Sequence, residues 1–121
     1  MQKLLYIVDD NNASLVVAAT ALEDDYRIMT MLSAGKMFSL LDKRRPELIL
    51  LDVEMPEMDG FEALAKLKES PDWCAIPVVL LTGLIDENLK SRALEAGAAD
   101  VISKPFDVPA LLECVQKLIG I

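Results

Sequence analysis

Five short apolar runs punctuate the chain: Leu4–Val8 (LLYIV), Ile28–Leu32 (IMTML), Leu48–Leu51 (LILL), Val78–Leu81 (VVLL) and Val101–Ile102 (VI). Four are continuously apolar rather than alternating, the pattern of strands buried on both faces of a parallel sheet. The second is interrupted by Thr30 and preceded by Arg27, which suits an edge strand. Between the runs the apolar spacing becomes helical. The last segment is the clearest, with Val108, Leu111, Leu112, Val115, Leu118 and Ile119 on one stripe, Asp107 as N-cap and Gly120 as stop. A first helix is predicted from about Asn12 to Glu23, burying Leu15, Val16, Ala19 and Leu22. A second spans about Ala34 to Lys43, capped by Ser33 and burying Met37, Leu40 and Leu41. A third, about Met58 to Lys68, buries Phe61, Leu64 and Leu67; a fourth, about Glu87 to Ala96, follows Asp86 and stops at Gly97.

Five successive strand–helix units predict an α/β three-layer sandwich around a parallel sheet, because each connection is long enough for a right-handed crossover. In such sheets ligands bind beyond the carboxyl ends of the strands. The residues there are Asp9 and Asp10 after the first run, Asp52 after the third, Thr82 after the fourth and Lys104 after the fifth.

Composition narrows the chemistry. The 121 residues fit one domain, and Lys+Arg 12 against Asp+Glu 20 gives a net charge of −8. That charge would repel a phosphate backbone, so no direct nucleic-acid partner is expected. The chain has no histidine, which excludes Ser-His and Cys-His catalysis, His-ligated zinc and any phosphohistidine of its own. Its apolar runs are too short to cross a bilayer, and MQKLLYIVDD lacks a signal-peptide pattern. Cys74 and Cys114 lie forty positions apart and read as ordinary thiols. A cytoplasmic location is the expectation.

Carboxylates at neighbouring strand ends repel one another unless a cation sits between them. Asp9, Asp10 and Asp52, with no His or Cys nearby, suit a hard divalent ion such as Mg²⁺ or Mn²⁺. Thr82 adds a hydroxyl and Lys104 an ammonium, a set able to neutralise a transferring phosphoryl group, with Asp52 as a possible nucleophile. Singly, each residue has a plainer reading. Asp9 or Asp10 can cap the first helix, Thr82 can be a strand residue, and Lys104 a surface lysine in a turn. Their joint placement at one sheet edge favours the site.

The stretches Ile7–Asp10 (IVDD), Leu48–Gly60 (LILLDVEMPEMDG), Pro77–Gly83 (PVVLLTG) and Gly97–Phe106 (GAADVISKPF) resemble the receiver domains of two-component response regulators, from Lys3 to Ile119. The resemblance implies a flavodoxin-like sheet in the order 2-1-3-4-5 and a single receiver domain over residues 1–121. It implies that Asp52 accepts a phosphoryl group and that Asp9, Asp10, Asp52 and the backbone carbonyl of Glu54 hold Mg²⁺. Thr82 would be the switch hydroxyl, with Gly83 behind it leaving room for the phosphoryl group. Lys104 would pair with a phosphoryl oxygen, aimed inward by a cis Lys104–Pro105 bond. The implied partner is a sensor histidine kinase or phosphotransfer protein. A C-terminal output domain beyond this chain, or a second copy, is a further possible partner. Signalling is expected through the fourth helix, fifth strand and fifth helix, with no enzymatic activity beyond Asp52's own phosphorylation and dephosphorylation.

Two positions depart from the family pattern. Val101 stands where a switching Tyr or Phe is usual, and Glu54 puts an acid two residues past the acceptor, where it is expected to change the phosphoryl lifetime. Competing readings are a receiver that binds partners without phosphorylation and an Mg²⁺-dependent aspartyl phosphohydrolase. The latter usually carries Asp-x-Asp after its first strand, whereas here the nucleophile follows the third. Neither G-x-G-x-x-G nor a P-loop occurs, so a nucleotide-binding reading has no support.

Overall fold

A computed structural model describes residues 2–83 and 86–121. Five strands alternate with five helices: β1 (Leu4–Val8), α1 (Asn12–Leu22), β2 (Arg27–Met31), α2 (Ala34–Leu41), β3 (Leu48–Asp52), α3 (Gly60–Glu69), β4 (Val78–Thr82), α4 (Glu87–Glu95), β5 (Asp100–Ser103) and α5 (Val108–Ile119). The strands form one parallel sheet in the order β2-β1-β3-β4-β5. The three central strands are buried along their whole length, as their continuous apolar runs predict. One core layer packs β1, β3 and β4 against residues of α2, α3 and α4; the other packs them against α1 and α5.

Several boundaries shift for local reasons. β2 begins and ends one residue earlier than its apolar run, because its pairing with β1 stops at Val8–Met31, and Leu32 is left 40% exposed. α2 ends at Leu41 and α4 at Glu95, each a little short of the predicted end. α3 starts at Gly60 rather than Met58, because Asp59 is its cap. The Asp59 carboxylate accepts from Glu62 N at 2.9 Å, and the Glu62 carboxylate accepts from Asp59 N at 3.3 Å. α1 buries Leu15, Ala18 and Leu22, while Val16 is 64% exposed, a correction to the predicted stripe. The small Ala18 lets the helix approach the sheet, and Val16, about 100° round from Leu15, then faces outward. Val108 is likewise exposed at the start of α5, and Phe61 is only half-buried, its ring 4.4 Å from the Arg92 guanidinium. Asp107 occupies the α5 N-cap position without a side-chain cap bond.

Two buried tyrosines close the ends of helices. Tyr6 OH donates to the Arg44 carbonyl beyond α2, and Tyr26 OH to the Gly120 carbonyl beyond α5 at 2.7 Å. Lys3 Nζ also donates to the Ile119 carbonyl. The bonds to Ile119 and Gly120 satisfy carbonyls at the end of α5, and the Tyr6 bond anchors the segment that follows α2. Both cysteines are free; burial, with Asp100 alongside, pushes the Cys114 thiol up to about 11.

Candidate functional site

Parallel pairing brings the carboxyl ends of β1, β3, β4 and β5 to one edge. Asp52 closes β3 opposite Leu81, and Thr82 closes β4 opposite Ser103. Val53 N donates to Leu81 O at 2.9 Å and Lys104 N to Thr82 O at 2.8 Å, so the backbone holds these three ends together. Asp9 follows β1, and its N–H donates to Met31 O at 3.1 Å. Asp9, Asp52 and Thr82 are buried, and Asp10 is exposed. One carboxylate oxygen from each of Asp9, Asp10 and Asp52 lies within 4.8 Å of the others.

Neither Asp9 nor Asp10 caps α1. Asn11 does, its side-chain oxygen accepting from Ser14 N at 3.1 Å. Asp9 Oδ1 instead accepts from Asn11 N at 3.0 Å, which leaves its other oxygen turned to Lys104. The ammonium lies 3.0 Å from Asp9 Oδ2, with hydrogen-bond geometry, and 3.0 Å from Asp52 Oδ1 as a charge contact. Asp52 Oδ1 is buried without a hydrogen-bond donor. Burial, reinforced by the Asp9 charge and opposed by Lys104, pushes the Asp52 carboxyl up to about 6. For Lys104, burial works against the ammonium, but the two carboxylates together outweigh it and raise its pKa.

Three carboxylates against one ammonium leave −3 + 1 = −2 when all are ionised. A buried oxygen without a donor and an all-oxygen ligand set are what a hard divalent cation requires, so the residues present fit such an ion.

The loop after Asp52 is tightly built. Met58 N donates to Pro56 O at 2.8 Å, closing a three-residue turn centred on Glu57, whose φ is 69°. A non-glycine residue there is strained by about 1 kcal/mol. The turn brings α3 back onto the strand end, where Gly60 N donates to Val53 O at 2.8 Å. The Glu54 side chain is exposed.

The model of the response regulator receiver domain family matches residues 5–116, nearly the whole chain. The chain belongs to that family. It is 35% identical to the response regulator PleD of Caulobacter vibrioides over 98% of its own length, which is 26% of PleD. Among solved structures, the receiver domain of a signal transduction histidine kinase from Syntrophus aciditrophicus superimposes with a TM-score of 0.88 at 36% identity, covering 98% of this chain and 90% of that one. The receiver domain of the sensor histidine kinase PA1611 from Pseudomonas aeruginosa superimposes with a TM-score of 0.88 at 24% identity, covering 100% of each chain. Its structure holds a magnesium ion in the active-site cleft.

The Lys104–Pro105 peptide is cis. Gly83 is exposed, and a Cβ built there meets nothing within 4 Å among the described residues. Val101 is buried in the layer with α4 residue Ala93. The tight backbone approach expected at Gly60 is present, since a Cβ there would lie 2.4 Å from the Asp52 carbonyl oxygen. Sequence reasoning missed Asn11 and Met31. The first was readable as an Asn before a helical stripe; the second acts through a backbone contact that no local pattern announces.

Proposed function

We propose that this receiver domain accepts a phosphoryl group on Asp52 from a histidine kinase or phosphotransfer protein. The observation that carries the reading is the buried Asp52 Oδ1, without a hydrogen-bond donor and 3.0 Å from the Lys104 ammonium. A carboxylate oxygen of Asp52 attacks the phosphorus, an O–P bond forms, and the P–N bond of the donor phosphohistidine breaks, returning the electron pair to the imidazole. Lys104 pairs with one phosphoryl oxygen and the Thr82 hydroxyl with another. Asp9, Asp10, Asp52 and the Glu54 carbonyl would hold Mg²⁺, or Mn²⁺ on the same donors. That ion supplies neutralisation of the phosphoryl charge. The PA1611 receiver, with magnesium in its cleft, supports the assignment.

Intact mass after incubation with Mg²⁺ and a small acyl-phosphate donor tests this. One phosphoryl group is expected on the wild type and none on Asp52→Ala or without the metal. Absence of any gain, with Mg²⁺ binding shown separately, would leave a phosphorylation-independent binding module. The decay of the same mass peak gives the lifetime; an Asp52 phosphate that decays equally fast in Glu54→Ala would remove Glu54 from the lifetime role.

The donor protein needs an approach surface. A groove of about 190 Å³ lies between α1 and the segment after β5, lined by Ala13, Ser14, Val17, Lys104, Pro105 and Phe106. It opens beside Lys104, and Val17 on its wall is 45% exposed. Val17→Glu is expected to slow transfer from the cognate kinase by about tenfold, the effect of losing one well-packed apolar contact. The small donor, which needs no docking, should react at the wild-type rate. Equal slowing of both would mean that the substitution damages the site itself.

Output is proposed to pass through α4, β5 and α5 in the cytoplasm. α4 suits a two-state element, since it buries only Ala93 while Leu94 is 50% exposed. With Val101 in place of an aromatic residue, the shift is carried by α4 and its Arg92–Phe61 contact rather than by a swinging ring. Among the described residues no helix is long and apolar enough to cross a membrane.

A further inference from the structure

The chain is acidic overall, but its cations are unevenly placed. Residues 36–45 carry Lys36, Lys43, Arg44 and Arg45 against the single acid Asp42, a local charge of +4 − 1 = +3 in a chain of −8. All five side chains belong to exposed residues. Of these, Lys36 and Lys43 line a groove of about 320 Å³ between α2 and the end of the edge strand β2, together with Met31, Gly35, Ser39 and Leu40. Met31 is buried and Leu40 half-buried, so the floor is apolar. Lys36 in the first turn of α2 and Lys43, two residues past its end, both line the groove. Among the described residues the ion pairs are those of Lys104 with Asp9 and Asp52, so neither groove lysine has a carboxylate partner. The exposed Leu32 adds apolar surface where β2 runs into α2.

A second connection sets this groove apart. The carbonyl of Met31 accepts the Asp9 N–H at 3.1 Å, so the groove floor is bonded directly to the backbone of a site carboxylate. Any occupant that moves Met31 acts one hydrogen bond away from the acidic cluster.

We propose that the α2–β2 groove is a docking site for an acidic segment of a partner protein, with an aliphatic side chain seated on Met31 and Leu40 and carboxylates paired to Lys36 and Lys43. Charge complementarity decides the occupant. Two unpaired ammonium groups flanking an apolar floor favour acids on either side of an apolar anchor. A basic segment would be repelled, and a wholly apolar one would leave the lysines without partners.

The proposal does not depend on phosphoryl acceptance, because binding is read without a phosphodonor. The probe is a heptapeptide display library panned on the intact chain. Peptides with two or more acids around one or two aliphatic residues should be enriched, and the strongest synthetic peptide should weaken with added salt. Its Kd should rise about tenfold in the double variant Lys36→Glu, Lys43→Glu. It should also rise in Gly35→Leu, which keeps the charge but adds a side chain to the groove. A Cβ at Gly35 meets only Ser33 Oγ, at 3.9 Å, so that variant should fold. The exposed pair Lys66→Glu, Lys90→Glu should leave binding unchanged, and amide shifts on peptide addition should centre on Met31, Gly35 and Leu40. No acidic enrichment, or equal binding to the groove variants, would overturn the proposal. So would self-association of the wild type abolished by the double variant, which would make a second copy the occupant.

Discussion

Replacing Asp52 with Asn is expected to make the metal-free protein more stable at pH 7.5 while abolishing phosphoryl gain. The folded Asp52 carboxyl titrates near 6 against an ordinary value of 3.8, because burial disfavours its charge and the Lys104 ammonium only partly offsets this. The sign follows from proton binding. Between about pH 4 and 6 the folded chain keeps a proton that the unfolded chain has released, so stability falls as pH rises through that window and is flat above it. The rise from 3.8 to about 6 corresponds to roughly 2–3 kcal/mol. Asparagine keeps the shape and carries no charge, so Asp52→Asn should gain about 1–3 kcal/mol, or about 5–10 °C in Tm, at pH 7.5 in EDTA. Below pH 4, where Asp52 is protonated in both states, the gap should close. Mg²⁺ should raise the wild-type Tm more than that of the variant, since the variant lacks one of the carboxylates. Thermal melts at pH 7.5 and 4, with and without the metal, check all three points. An Asn variant that melts below the wild type at pH 7.5 would mean that the Lys104 contact outweighs the burial of charge.

The instability at Asp52 was legible in the sequence only in outline. An apolar run as continuous as Leu48–Leu51 must be buried on both faces, and an acid ending it must sit at the sheet's carboxyl edge. The same reasoning reached Asp9, Thr82 and Lys104, because a strand end is a local feature and parallel topology then brings the ends together. Strand order was available only through the resemblance. Periodicity was weaker on α1, where alanines make several stripes equally apolar and only the packing distance selects Ala18 over Val16. The pairing of Lys104 with Asp9 could not be read, since it spans 95 positions and depends on Asp9 turning its other oxygen to Asn11. The α2–β2 groove was invisible for a similar reason. Lys36 and Lys43 look like ordinary solvated charges until Met31 is placed beneath them.

Gly60→Ala is expected to be the most damaging single-methyl substitution in the segment that follows Asp52. A Cβ at Gly60 would lie 2.4 Å from the Asp52 carbonyl oxygen, 2.8 Å from Val53 Cα and 3.0 Å from the Asp52 carbonyl carbon. All three are backbone atoms of the segment that presents Asp52, so no side chain can rotate away. Relief requires the start of α3 to move off the strand end. That movement would stretch the 2.8 Å bond from Gly60 N to Val53 O and disturb the capping box at Asp59 and Glu62. Overpacking of this kind costs about 2–4 kcal/mol, well beyond the fraction of a kcal/mol that alanine's helix propensity returns. Gly35→Ala is the matched control. Its Cβ enters nearly open space, and it should stabilise α2 by about 0.5–1 kcal/mol. Urea denaturation of the two variants should therefore move in opposite directions. Weakening the bond from Gly60 N to Val53 O also releases the Asp52–Glu54 backbone that α3 holds in place. Gly60→Ala should accordingly lose phosphorylation from the small acyl-phosphate donor under conditions where it remains folded, whereas Gly35→Ala should react normally. A folded Gly60→Ala protein phosphorylated at the wild-type rate would show that the acceptor's position does not depend on the contact between α3 and the end of β3.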